Sequence, residues 1–183
     1  MSNMPKLHFV TPYSFEKNLG KAYNEEFEKV QNDSDWIVLM DGDSHFFTDF
    51  GQQIRAHILA KPNTGMFTCI TNRVGNKQQC YGGKISDNSD YLYHARLAKR
   101  LAVGNRGVVK KSSRIISGLL MVIQKKTWRE VGGFYERGIL KVDNMFSKEL
   151  LNRHRPIYIM MDVYMIHYYR FLEGGKKYKT HLK

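Results

Sequence analysis

Cysteine is scarce in this chain, which limits how the fold can be held together. Its 183 residues include only two cysteines, Cys69 and Cys80. Neither belongs to a Cys-x-x-Cys pair or to a Cys/His group with the spacing of zinc ligands. We therefore expect reduced, structural thiols, and neither a disulfide framework nor a zinc site.

Long apolar runs are missing as well. The longest, "IISGLLMVI" at residues 115–123, is too short to span a bilayer and is interrupted by Ser117 and Gly118. The opening "MSNMPKLHF" lacks the basic-then-apolar plan of a secretory signal. We expect a cytoplasmic protein whose length suits one domain with a buried core.

Acidic residues are few. The chain has 17 Asp and Glu against 29 Lys and Arg, a formal net charge of +12. Such an excess predicts attraction to nucleic acid, to a phosphorylated small molecule or to an anionic membrane surface, without choosing among them. Basic residues gather at 104–114, "GNRGVVKKSSR", and in the tail at 174–183. We expect a solvated tail, and at 104–114 a loop that either closes over an anion or is simply solvated.

Hydrophobic patterning alternates between strands and helices and so predicts an α/β fold. A strand in "LHFVTPYS", a helix in "EKNLGKAYNEEFEKV" and a buried strand in "WIVLM" form a βαβ unit. Further helices are predicted in "FTDFGQQIRAHILA", "YLYHARLAKRLA", "KKTWREVGGF" and "VDNMFSKELLNRH", the last capped by Asp143 or Asn144. Strands are predicted in "MFTCITN", "GLLMVIQ" and "PIYIMMDVYMIHYY". We expect a mostly parallel central sheet flanked by helices in a single domain.

Two acids end the first buried strand, in "IVLMDGDSHF". Asp41 and Asp43 thus stand where open α/β sheets bind ligands, beyond the carboxyl ends of the strands. Two carboxylates so spaced can hold a divalent cation, although a polar turn that merely caps the strand has the same pattern. A calcium-binding EF-hand loop is excluded, because Phe46 and Gln52 replace its required glycine and glutamate.

These residues resemble the metal-dependent glycosyltransferases of the GT-A fold, particularly family 2. Four segments occur in that family's order: "NLGKAYNEEFEKVQNDSDWIVLMDGDSHF", "SGLLMVIQKKTWREVGGF", "VDNMFSKELL" and "YMIHYYR". The resemblance implies a GT-A-like, Rossmann-like sheet. It also implies transfer of a sugar from a nucleoside diphosphate to an acceptor hydroxyl, with inversion.

The resemblance also implies a metal centre. Asp41 and Asp43 of the DxD motif would hold Mn²⁺ or Mg²⁺ against the donor diphosphate, with Gly42 letting the backbone come close. His167 matches the family's late histidine, which helps to bind the metal or the diphosphate. A histidine satisfied by backbone at a strand end is the alternative for His167.

The remaining roles concern the base, the nucleotide and the acceptor. Asp143 matches the acid that removes the proton from the acceptor hydroxyl, and Thr11, Pro12 and Tyr13 begin the nucleotide pocket, with Lys21 flanking it. The resemblance assigns residues 1–50 to nucleotide and metal binding and 115–170 to the acceptor and catalysis. We expect a UDP-sugar donor, a glycan or lipid-linked acceptor, and peripheral contact with an anionic membrane.

The chain departs from the family in two respects, of which one is that Val142, Asp143 and Asn144 stand in place of the usual paired acid before the catalytic helix. Family members have a further strand and helix before the DxD motif, whereas Asp41 here follows a single βαβ unit, so the nucleotide-binding half is shortened. Two other functions stay open. One is a non-catalytic basic module that binds nucleic acid through phosphates, without sequence-specific contacts because no groove-reading motif is present. The other is a metal-dependent phosphohydrolase that uses the same acids.

Overall fold

The structure is a computed structural model that describes residues 4–168, which form seven strands and five helices. The basic tail at 174–183 lies outside the described residues. The strands are β1 (Leu7–Val10), β2 (Trp36–Met40), β3 (Ser44–Phe46), β4 (Met66–Thr71), β5 (Val109–Ser112), β6 (Leu120–Gln124) and β7 (Ile157–His167). The helices are α1 (Leu19–Lys29), α2 (Phe50–Ala60), α3 (Tyr91–Gly104), α4 (Lys125–Val131) and α5 (Val142–Asn152). No helix between residues 4 and 168 has both the length and the apolar character needed to cross a membrane.

All the described strands belong to one sheet, which confirms the α/β class. Their order is β1-β2-β6-β4-β7-β3, and β5 also pairs with β7. Only β1 with β2 and β4 with β7 are parallel among the described pairs, and the other pairs are antiparallel. The prediction of a mostly parallel sheet is therefore wrong. The apolar run in β6 indicates burial on both faces, which does not specify strand direction.

Several local predictions are confirmed. The parallel pairing of β1 with β2 across α1 is the expected βαβ unit. Helix α4 ends at Gly132, whose φ of 88° is the left-handed conformation predicted for it. Cys69 and Cys80 are both free and buried.

Two short strands, β3 and β5, were not predicted from the sequence. β5 lies inside the basic segment expected to be a loop, and pairs antiparallel with β7. β3 follows the paired acids and also pairs with β7. Both strands are too short to show the alternation of apolar and polar residues that identifies a strand in a sequence. Both depend on the long strand β7 for their hydrogen bonds.

The core lies on both faces of the sheet. In β2, Ile37 and Leu39 pack on one face with residues of α1, α4 and α5, whereas Trp36 and Val38 pack on the other with α2. A smaller cluster joins α3 to β4 and β7. The alternation along β2 therefore places a helical layer on each side, as the continuous apolar run predicts.

One buried amide ties α1 to α4 and the turn that follows it. The Asn24 side chain donates to the Phe134 carbonyl at 2.9 Å and to the Glu136 carboxylate at 2.7 Å. Its Oδ1 accepts from the Trp128 indole N–H at 2.9 Å and from the Phe134 N–H at 2.7 Å. All the hydrogen-bonding capacity of this amide is thereby used in one place.

We expect Asn24→Ala to lower the free energy of unfolding by about 3 kcal/mol, because it leaves buried donors and an acceptor without partners. Urea denaturation measures this loss. Asn152→Ala, at an exposed position ending α5, is the control and should change stability by less than about 0.5 kcal/mol. Equal losses in the two variants would contradict the role given to Asn24.

Candidate metal centre

The three predicted ligands lie close together at one end of the sheet, where β2 and β7 finish and β3 begins. Asp41 follows β2, Asp43 precedes β3, and His167 ends β7. Antiparallel pairing puts Ser44 opposite His167, which brings the acids to the histidine. His167 Nε2 lies 3.3 Å from Asp43 Oδ1 and 3.9 Å from Asp41 Oδ2. One ligand atom from each residue lies within 4.8 Å of the others, so this group could hold a single metal ion.

Asn72, just beyond β4, determines how His167 is held. The His167 N–H donates to Asn72 Oδ1 at 2.8 Å, and Asn72 Nδ2 donates to the His167 carbonyl at 3.2 Å. The ring Nδ1 lies 3.0 Å from the Arg73 carbonyl, which can only accept, so Nδ1 carries a proton. Nε2 therefore faces the carboxylates, as a metal-binding histidine requires. The sequence reasoning missed Asn72, and its only signal was a polar residue that ends an apolar strand.

The turn that carries the acids is held from several sides. The Asp41 N–H donates to the Leu119 carbonyl at 3.0 Å, which continues the pairing of β2 with β6. The Ser44 hydroxyl donates to the Asp41 carbonyl at 2.5 Å, and the Tyr168 N–H donates to the Asp43 carbonyl at 2.8 Å. Hydrogen bonds to the backbone atoms of Asp41 and Asp43 thus fix the position of both residues in the turn.

Burial and the charges of neighbouring groups raise the pKa values of Asp41 and His167 and lower the pKa of Asp43. Burial raises the pKa of Asp41 to about 6, an effect opposed by the charge of His167 and reinforced by Asp43 and Asp143. The hydrogen bond with His167 lowers the pKa of Asp43. Burial alone would lower the pKa of His167, but its hydrogen bond with Asp43 and the charges of both acids outweigh burial and raise it. A cation bound here would therefore compete with protons near neutral pH.

An open cleft of about 320 Å³ adjoins the acids. Its lining includes Thr11, Asp41 and Gly42, so the end of β1 and the metal-binding turn share one cavity. Phe46 and Phe50, whose rings stack with centroids 3.7 Å apart, form an apolar wall of the same cleft. The cleft thus combines acidic and apolar surfaces.

The other predicted nucleotide-binding residues lie around this cleft or at the surface. Pro12 follows Thr11 and is half-buried. Tyr13 is 74% exposed, and its ring packs edge-to-face on Phe15. Lys21 lies on α1, with its Nζ 3.0 Å from a Glu16 carboxylate oxygen. Among these four predicted residues, the cleft is lined by Thr11 alone.

Asp143 lies in the first turn of α5, and it is not the helix cap. Lys141 occupies the cap position with a left-handed φ of 69°, so the prediction of a cap at Asp143 or Asn144 is wrong. The Asp143 carboxylate instead accepts from the Gly118 N–H at 2.7 Å and from the Asn144 N–H at 2.8 Å. A Cβ at position 118 would lie 2.7 Å from Asp143 Cβ, so the close approach requires glycine. Burial raises the pKa of Asp143, whose charge also acts on Asp41.

We expect Mn²⁺ to bind with an affinity that rises between pH 5.5 and pH 8. Binding must displace the protons that the raised pKa values of Asp41 and His167 retain at low pH. Asp43→Asn should weaken binding at least about tenfold in calorimetry, as loss of a ligand does. Asp49→Asn is the control, because asparagine caps α2 as well as aspartate does. A pH-independent affinity, or equal weakening in the control, would contradict the site.

Asp41→Asn should stabilise the metal-free protein at pH 8. A folded pKa above the unfolded value of 3.8 contributes stability below that value, and the contribution is lost as pH rises through about 6. The Asp41 side chain is 36% exposed, and solvent reduces the gain to about 1 kcal/mol. In EDTA, the thermal midpoint should rise by about 2 to 4 °C at pH 8 and stay unchanged at pH 4. A lower midpoint at both pH values would instead make Asp41 a structural group.

No protein-family model matches the chain, and no curated protein matches it. A function can therefore be argued only from the geometry of the candidate metal centre. The structure shows an α/β fold with one mixed sheet, and an Asp-Asp-His group that could hold a metal ion.

Proposed function

We propose that this protein is a metal-dependent glycosyltransferase of the GT-A type, which moves a sugar from a nucleoside diphosphate to an acceptor hydroxyl. The observation that carries the proposal is the meeting of Asp41, Asp43 and His167 beside a cleft that begins at Thr11. A third acid, the half-buried Asp143, acts electrostatically on the same group. Donor binding and acceptor activation thereby have separate candidate residues.

The ligand set suits the proposed cation. Two carboxylates accept a hard divalent ion, and the imidazole of His167 favours a transition metal such as Mn²⁺ over Mg²⁺. When bound, the cation would stabilise the negative charge of the departing nucleoside diphosphate. The bond from Nδ1 to Arg73 keeps the His167 ring turned toward the carboxylates in the absence of the ion.

The donor nucleotide is assigned to the cleft of Thr11, Gly42, Phe46 and Phe50. The apolar wall suits a planar base, and the backbone at Thr11 and Pro12 offers polar groups for its edge. The cleft has a volume of only about 320 Å³, which suits a small pyrimidine base and agrees with a UDP-sugar donor. Tyr13 and Lys21 do not line the cleft, and they are assigned supporting contacts to parts of the donor that extend beyond it.

Asp143 is assigned as the base for the acceptor. Its two backbone hydrogen bonds orient the carboxylate while each oxygen keeps a lone pair for a further proton. Its raised pKa makes it a stronger base than an exposed aspartate. As the acceptor oxygen attacks the sugar, Asp143 takes the hydroxyl proton and the nucleoside diphosphate departs from the opposite face, which inverts the anomeric carbon.

A phosphohydrolase has less support. A phosphatase with an aspartate nucleophile would need a further acid on a later strand, for which the sequence offers Asp162. Asp162 is 3% exposed, 2.5 Å from His57 Nε2, and also accepts the Gly107 N–H. Those contacts hold the Asp162 carboxylate in the interior, where it links β7 to α2 and to the turn after α3. It is therefore not placed to act on a substrate.

We expect Asp143→Asn to slow sugar transfer by about 10² to 10⁴, the usual effect of removing a general base, without weakening Mn²⁺-dependent UDP binding. Until the acceptor is known, release of nucleoside diphosphate from a donor panel, with water as acceptor, measures the rate. Glu149→Gln, on the exposed side of the same helix, is the control and should retain full activity.

Other outcomes point to other functions. Phosphate release from a generic ester, without donor cleavage, would replace the transferase with a phosphohydrolase. Salt-sensitive binding to random oligonucleotides that is indifferent to metal would favour the nucleic-acid-binding module.

A further inference from the structure

A second cavity, of about 450 Å³, shares no lining residue with the cleft beside the DxD motif. Two single-turn 3₁₀ helices, Lys77–Gln79 and Tyr81–Gly83, form one side of it, and α3 and β5 contribute the other. Its floor is apolar, built from Ile70, Leu101 and Met161. This cavity therefore offers hydrophobic contact that the acidic cleft does not.

The rim of this cavity is cationic. Lys77 and Lys110 both line it, and no aspartate or glutamate does. Within residues 4–168, no carboxylate lies at ion-pair distance from either lysine. Arg100 adds a third cation by donating to the Tyr81 hydroxyl at 2.8 Å. An anionic group at the rim would relieve the mutual repulsion of these charges.

Hydrogen bonds join this cavity to the residues assigned to the acceptor. Gln79, in the turn that begins with Lys77, is fully buried, and its amide exchanges hydrogen bonds with the Ser117 backbone at 2.8 and 3.0 Å. The next residue, Gly118, donates to Asp143. The turn that carries Lys77 is thus fixed to the same segment that orients the proposed base.

The cavity is also close to the metal centre along β4. Ile70 contributes to the floor, and Asn72, two residues later, holds His167. Two residues of extended chain span only about 7 Å. The cavity is therefore connected to the His167 side through β4 and to Asp143 through Gln79, Ser117 and Gly118.

We propose that this cavity binds the acceptor, and that the acceptor is an organic phosphate with an apolar chain. The inference rests on the proposed transferase function and specifies its second substrate. Lys77 and Lys110 bind the phosphate, and Ile70, Leu101 and Met161 contact the chain. A lipid headgroup in a membrane and a soluble phosphate ester present the same chemistry.

Binding of decyl phosphate, below its micelle concentration, tests the cavity directly by calorimetry. The double variant Lys77→Ala/Lys110→Ala should weaken binding about tenfold or more, equivalent to about 1.4 kcal/mol. Lys99→Ala/Lys148→Ala removes the same charge from exposed positions outside the lining and is the control, with no change expected. Decyl maltoside should bind more weakly than decyl phosphate. Equal weakening in both double variants, or no preference for phosphate, would overturn the proposal.

The source of the phosphate is distinguished with vesicles of phosphatidylcholine, with and without phosphatidic acid. Vesicle binding that requires both Lys77 and Lys110 assigns a membrane lipid, and binding of decyl phosphate alone assigns a soluble ester. Mn²⁺-dependent UDP binding is measured on the same variants and should be unchanged. Failure of UDP binding with intact decyl phosphate binding would overturn the transferase function and leave the cavity assignment standing. The reverse result would overturn the cavity assignment alone.

Discussion

Residues 117–119, immediately before β6, connect three parts of the candidate site through their backbone. Ser117 exchanges hydrogen bonds with Gln79, Gly118 donates to Asp143, and the Leu119 carbonyl accepts the Asp41 N–H. Because these bonds use main-chain atoms, they tolerate little displacement of the segment. The metal-binding turn, the proposed base and the turn that carries Lys77 are therefore positioned relative to one another by three consecutive residues.

A second constraint acts on His167, the third candidate metal ligand. The reciprocal bonds between Asn72 and His167 join the ends of β4 and β7, and the Arg73 carbonyl selects which ring nitrogen faces the acids. Burial raises the pKa of Asp41 to about 6 and the neighbouring Asp43 reinforces the rise, whereas the charge of His167 opposes it. A cation bound to this group would offset the unfavourable free energy of holding the ionised Asp41 close to Asp43, as is common where function requires unfavourable groups to stay close.

Most element types followed from local patterns, whereas their arrangement did not. Periodicity identified α1, α2, α3 and the buried strands, since each buries a face whose spacing is visible in the sequence. The direction of β6 was not visible, because an apolar run reports burial alone. Strands β3 and β5 exist because β7 supplies their hydrogen-bond partners, and such pairing joins residues far apart in the chain.

The sequence by itself determined that Asp41 and Asp43 stand together at the end of a buried strand, because strand, turn and acids are all local. Only the tertiary structure decided that His167 lies beside the two acids. Its position depends on the pairing of β3 with β7 and on the hydrogen bonds with Asn72. The same holds for the cavity of Lys77 and Lys110. Its cations come from separate segments, and its apolar floor comes from β4, α3 and β7. Contacts between distant parts of the chain form only as the sheet assembles, so no local pattern encodes them.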